Sequence, residues 1–416
     1  MTRAGTRTAL PWVIAGIVMV ALSLRAPIIA PTAVIAQIRE GTGLSAAGAG
    51  LLTGLPVLLF ALATPLATRT IRRRGPEATV VLCLAGILAG TILRSLGPAW
   101  VVLAGTALIG AAMTLGNIAV PVLIRRDVPW NKVGAVTGAY SATMNVGSMA
   151  VLLGTAPLAG VAGWRWAIAA WSLVTALGLG YWLVRRRSAP AAVRMEPERA
   201  TAAADTGEAE TDTTVGAAGT AATTASARSA HARRITTLLV FAFCGQSAAY
   251  YATTAWLPLL LTETRGLAPS SSGASASLFQ VAAIIGAFGV PLVAARTRLW
   301  VAAAVIAALW IILPVGLLAA PQAFVLWSSI GGIAQGGGFT AIFSVIPRIS
   351  RNDAEAAFAS ARIQGGGYLA ATVAPPLAGW LNTLTGGWTV PLLLVLASTL
   401  AFTVGTLLAT RLSDRS

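Results

Sequence analysis

Carboxylates are missing from the centre of every long apolar stretch of this 416-residue chain, and histidine, lysine and cysteine are nearly missing from all of it. A single histidine (His231) and two cysteines (Cys83 and Cys244) form no ligand set at metal-binding spacing. Both cysteines fall inside apolar runs, which argues against a disulfide framework. No Walker A loop, zinc motif or nucleophile elbow occurs, so the chain offers no catalytic constellation, no metal site and no cofactor site. Charge is scarce as well. Charged residues make up 10% of the chain, against ~25% in soluble proteins.

What replaces charge is hydrocarbon. The sequence is 56% hydrophobic, with a mean hydropathy of +0.78, too apolar to cover itself in water. The bilayer is the solvent that fits. Twelve apolar runs reach the ~20 residues needed to cross it. They lie near 11–36, 45–68, 78–96, 100–124, 133–157, 164–184, 235–261, 273–295, 299–319, 322–346, 355–381 and 388–410. The first follows Arg3 and Arg7 as a signal peptide would, but it is too long for a signal h-region and reads as an uncleaved span.

The net charge of +16 would suggest nucleic acid in a soluble protein. Here the basic residues, all arginine except Lys132, sit in short clusters between spans. Alternate loops, the linker and both ends together hold 23 of the 29 basic residues. The opposite loops hold only Arg39, Arg94, Arg165 and Arg265. The positive-inside rule then places both termini in the cytoplasm, with no nucleic-acid partner. The bias to Ala, Gly, Arg and Trp over lysine points to a GC-rich bacterial genome and so to a bacterial inner membrane.

Residues 188–234 break the pattern. They are rich in Ala, Thr, Ser and Glu, with no apolar periodicity, and read as a disordered cytoplasmic linker. The linker divides an N-terminal bundle of six spans (1–187) from a C-terminal bundle of six (235–416). The halves repeat. Pro157-Leu158-Ala159-Gly160 follows Asn145 by the same offset that separates Pro376-Leu377-Ala378-Gly379 from Gln364, and Gly147 falls on Gly366. Spans four and ten share a run of small residues, Gly110–Asn117 against Gly331–Gly338. Small residues recur in any helical membrane protein because they let helices approach. The matching amides upstream of a shared motif favour a true duplication, the pattern of transporters built from two six-helix halves.

Two basic residues lie well inside spans. Arg25, near the middle of span one, is ~15–20 Å from either end at 1.5 Å per residue and cannot easily snorkel. Pro27 and Pro31 follow it, so it either contacts a solute or binds carbonyls that the prolines free. Arg362 is a turn or two into span eleven, where snorkelling competes with solute contact. With no acid at mid-span, a solute carrying negative charge is the simplest partner for Arg25, and a proton relay is disfavoured. Gln246 and Tyr250 share a face of span seven at i, i+4; Gln364 and Tyr368 repeat that spacing in span eleven. Asn117, Asn145 and Gln335 lie in spans four, five and ten, and Trp256 in span seven. Each amide alone could be an interhelical hydrogen bond. Together they point to a polar chamber. Trp100, Trp164, Trp166 and Trp388 read as interfacial anchors.

These residues resemble the cyanate permease and nitroimidazole-transporter branch of the major facilitator superfamily. The resemblance is carried by Leu24-Arg25-Ala26-Pro27 with Pro31, Leu52-Thr53-Gly54-Leu55-Pro56, Met144-Asn145-Val146-Gly147, Tyr250 with Trp256-Leu257-Pro258, and Gln364-Gly365-Gly366-Gly367-Tyr368. It implies an all-α membrane fold of twelve transmembrane helices in two pseudo-symmetric six-helix bundles, working as a monomer. It also implies alternating-access transport of a small anionic or polar weak-acid solute. Arg25, Asn117, Asn145, Gln246, Tyr250, Trp256, Gln335, Arg362, Gln364 and Tyr368 would be the contacts. A multidrug or toxic-compound exporter of the same fold is the rival reading. Arg72 departs from the superfamily pattern, standing before Gly75 where an acid is usual. Arg362 departs from the branch, which more often has an apolar residue there.

Overall fold

The computed structural model describes residues 5–188, 218–350 and 353–414. Most of the expected linker lies outside them; its last part, 218–234, forms the first turns of a helix instead of an irregular segment. In chain order the helices are α1 (Gly5–Ala33), α2 (Ile35–Thr42), α3 (Ala46–Leu62), α4 (Thr64–Leu96), α5 (Ala99–Asp127), α6 (Trp130–Ala170) and α7 (Ser172–Ser188) in the first half. The second half has α8 (Ala218–Arg265), α9 (Pro269–Ala294), α10 (Leu299–Ala319), α11 (Phe324–Phe343), α12 (Ile346–Ile349), α13 (Asp353–Thr385) and α14 (Thr389–Ser413).

Among the described residues, eight helices are each long and apolar enough to cross a membrane, and a ninth crossing comes from α2 and α3, which meet at 118°. The fold's twelve crossings follow once two features are read. First, α6 and α7 together hold two crossings joined at a reversal inside α6, and the part of α4 before its own reversal completes the crossing begun by α3. Gly75 (φ 78°) and Gly163 (φ 80°) sit there in the left-handed region, which glycine enters without a Cβ clash. Second, α11 and α13 are diluted by Gly336–Gly338 with Gln335, and by Gly365–Gly367 with Gln364. Most of those residues face a neighbouring helix or the interior, so these helices need less apolar surface for lipid.

The duplication appears in the packing. Gly147 of α6 is seated against Leu22 of α1, and Gly366 of α13 against Val240 of α8. Each half thus uses the same glycine to dock its fifth helix on its first.

Backbone-to-backbone contacts also join the halves, and only small residues permit them. A Cβ on Gly50 would lie 2.5 Å from Pro376 N, one on Gly54 2.5 Å from Thr372 O, and one on Gly379 2.5 Å from Ala46 O. On the other flank, a Cβ on Gly273 of α9 would lie 2.6 Å from Leu152 O of α6. Because successive crossings alternate in direction, all these contacts lie on the side away from Leu10 and Ser413. The ion pairs lie on the opposite side. Arg126 pairs with Glu77 (2.8 Å) and Asp127 (2.6 Å), Arg185 with Asp127 (3.2 Å) and Arg348 with Asp414 (3.0 Å).

Candidate functional site

A cavity of about 560 Å³ lies between the halves. Most of its lining residues fall in the half of each crossing nearer the chain ends: Phe60 at the end of α3, Asn117 late in α5, Tyr140 and Asn145 early in α6, Gln246 and Tyr250 on the first part of the α8 crossing, and Thr340 late in α11, while Leu24, Arg25 and Ile28 of α1 stand past its midpoint. The far side is closed by the glycine seams, so the cavity belongs to the side of the chain ends.

Eight of the ten residues singled out in the sequence meet here: Arg25, Asn117, Asn145, Gln246, Tyr250, Gln335, Gln364 and Tyr368. Arg25 projects from the first half and donates from Nη1 to the Tyr250 hydroxyl of the second, at 3.2 Å. Its Nε is buried with no partner. The expectation that it binds proline-freed carbonyls is not what the structure shows. Tyr140, Tyr250, Tyr251 and Tyr368 are its electrostatic neighbours. These are four of the five tyrosines in the chain, and a phenol, ordinarily neutral at pH 7, bonds a guanidinium without cancelling its charge. The Tyr250 hydroxyl in turn donates to Gln280 Oε1 (3.4 Å), and Gln280 Nε2 donates to the Thr254 hydroxyl (3.3 Å).

The two glutamines of the i, i+4 pairs have different jobs. Gln246 donates to the Gln335 carbonyl (2.8 Å) and accepts from Trp310 Nε1 (2.5 Å), so it ties α8 to α11 and α10. Gln364 accepts from the Tyr368 hydroxyl (3.2 Å) and donates to the Ser360 hydroxyl (2.9 Å), bonds confined to its own helix. The i, i+4 geometry made that second pair possible.

Two of the ten stand apart. Trp256 is buried beside Trp388 (ring centroids 5.8 Å) and donates from Nε1 to the Pro375 carbonyl (2.8 Å). Its place in span seven made a cavity position reasonable, but it lies beyond the cavity toward the closed side. Arg362 is exposed, with its guanidinium 5.8 Å from the Phe358 ring, the snorkelling outcome. Arg362→Gln is therefore expected to change solute affinity by less than about twofold, since surface substitutions stay within about 0.5 kcal/mol; a titration of the purified variant checks this.

Sequence reasoning missed the aromatic wall. Phe60, Phe243 and Phe339 line the cavity with Met113 and Met144. Tyr368 is edge-on to Phe60 (5.9 Å) and close to Phe243 (6.2 Å), while Phe243 meets Phe339 at 6.0 Å. Tyr140, Tyr251, Ser247 and Thr340 were missed too. Tyrosine scarcity was the available signal. The phenylalanines carried none, because an apolar ring in a span reads as lipid-facing.

The family model of the Major Facilitator Superfamily matches residues 12–319. The chain belongs to the major facilitator superfamily. Within it, the sequence is 32% identical over 385 residues to the 2-nitroimidazole transporter of Escherichia coli (strain K12), covering 91% of this chain and 90% of that protein. It is 31% identical over 392 residues to an uncharacterized transporter, YycB, of Bacillus subtilis (strain 168), covering 93% and 90%. Among solved structures, the fold matches a bacterial homolog of the human lysosomal transporter Spinster in its inward-facing, occupied form. There the TM-score is 0.72 at 16% identity, with 100% of this chain and 98% of that one covered. A POT family transporter in complex with 5-aminolevulinic acid matches with a TM-score of 0.69 at 13% identity, covering 97% and 96%. The protein is thus a membrane transporter of this superfamily. The cavity lies between its two halves.

Proposed function

We propose that this superfamily member carries a small planar solute, anionic or a polar weak acid, across the bacterial cytoplasmic membrane by alternating access. Both termini would lie in the cytoplasm and the cavity would face that side. The carrying observation is Arg25: a guanidinium in a central cavity, bonded to a neutral phenol and approached by no carboxylate among the described residues. A bound solute supplies what the tyrosines do not, a negative charge or a strongly polar acceptor. The aromatic wall gives a flat ring a surface to lie on. A nitro-substituted heterocycle, the solute class in the name of the Escherichia coli relative, meets both demands.

The same wall of Phe60, Phe243 and Phe339 favours a second reading, export of larger toxic compounds. Thermal stabilisation of the purified protein separates the two. Cyanate, benzoate and 2-nitroimidazole are compared with bulky lipophilic cations. At a hundredfold excess over Kd a ligand adds about 2.7 kcal/mol. A raised Tm with the acids or the nitroheterocycle supports solute anchoring at Arg25. A rise confined to the lipophilic cations overturns it in favour of the exporter.

A further inference from the structure

A second arginine is buried in the helix bundle, and the loop pattern hid it. Arg94, expected in a loop on the poorly charged side, is fully buried near the end of α4. Its seat is made by small residues: a Cβ on Gly105 would come within 2.7 Å of Arg94 N, and one on Gly90 within 2.8 Å of Gly105 O. From there Nη1 reaches the Pro27 carbonyl of α1 at 2.6 Å. Nε and Nη2 have no partner, and the adjoining cavity of about 10 Å³ has room for one water at most. So a cation costly to bury has been placed to make one bond to one backbone oxygen.

That oxygen is a particular one. In a helix the Pro27 carbonyl would accept from the N–H four residues on, and position 31 is a proline with no N–H. Arg94 supplies the donor that Pro31 lacks. The bond falls at the turn of α1 that Pro31 deprives of a backbone donor, two residues from Arg25. Arg25 points the other way, into the cavity and toward Tyr250.

We propose that Arg94 is a positioning residue for Arg25. By holding the Pro27 carbonyl it fixes the turn of α1 that Pro31 leaves one hydrogen bond short, and that turn aims the Arg25 guanidinium into the cavity. The inference rests on the reading of Arg25 as the solute anchor, but the aiming itself is measurable without any solute.

The test uses the full chain purified in detergent and the arginine reagent phenylglyoxal, with modification at Arg25 followed by peptide mass spectrometry. Arg94→Met should change the Arg25 modification rate by about tenfold, the scale set by losing one charge-assisted hydrogen bond. Pro31→Ala in the same chain should bring the rate back to the parent value, because the restored amide satisfies Pro27 in place of Arg94. An unchanged Arg25 rate in a folded Arg94→Met protein overturns the proposal and leaves Arg94 a strut. Failure of Pro31→Ala to restore the rate also overturns it. If Arg94→Met does not fold, the double variant decides. A folded double variant with parental Arg25 reactivity supports the proposal, and an unfolded one overturns it. Binding of 2-nitroimidazole is measured in parallel. Its absence from the parent counts against the proposed solute class and leaves the phenylglyoxal outcome standing.

Discussion

Arg25→Gln is expected to reduce uptake into proteoliposomes by about ten- to a hundredfold while the protein becomes no less stable. Glutamine keeps a polar N–H donor at the site, on a side chain two bonds shorter, and removes the charge. Hydrogen bonds to charged groups contribute about 1.5–3 kcal/mol, and each 1.4 kcal/mol is tenfold in affinity. Stability should move the other way. The parent holds an uncompensated cation at mid-membrane, at a cost of about 2.5–3.5 kcal/mol on insertion scales, and the substitution relieves it. A residue that merely holds helices together loses activity and Tm together. Here the expectation is loss of uptake with an equal or higher Tm, measured on the same preparation. Transport at the parental rate by the Gln variant would end the anchoring role.

Gly54→Leu should block transport from a distance. Its Cβ would sit 2.5 Å from the Thr372 carbonyl oxygen, where contact needs ~3.5 Å. The obstacle is backbone, so no rotamer change can relieve it. Either α3 and α13 separate or the protein does not fold. Separation opens the seam on the side away from the chain ends, while the cavity residues are untouched. Spin labels at Glu40→Cys and Thr385→Cys, exposed on that side, should report a population at longer distance than in the parent. Steady-state uptake should fall by at least about tenfold, because a carrier held open on one side cannot complete a cycle. An unchanged distance distribution with normal uptake would show that this seam is not a gate.

Much of this was legible before any coordinates. The spans, the two halves and the paired glycines Gly147 and Gly366 follow from hydropathy and repetition, because the bilayer forces helices and duplication preserves their contacts. Arg25 was legible because a mid-span cation is rare enough to demand a reason. Arg94 was not. Its distance from a span end fits a loop, and only the tertiary path of α1 past α4 shows that it is buried against Pro27. Trp256 was misplaced for a related reason. Sharing a span with Gln246 and Tyr250 does not mean sharing their depth, and Trp256 lies ~9 Å further along α8 than Tyr250, at 1.5 Å per residue, beyond the cavity. The phenylalanine wall has no sequence signature in a chain this apolar.

The bond from Arg25 to Tyr250 has an electrical consequence. A phenol can accept the proton-bearing edge of a guanidinium but cannot cancel its charge, so the empty molecule holds a net positive charge deep in the membrane. With an anionic solute aboard, the pair is neutral. In the proposed alternating-access cycle with an anionic solute, voltage would act on the journey made without cargo and hardly on the journey made with it. A full charge crossing the whole field feels ~2.3 kcal/mol per 100 mV, and Arg25, starting near the middle, feels a fraction of that. In that cycle the membrane potential would bias the empty carrier toward the negative side. In a cell that is the side on which its cavity would wait.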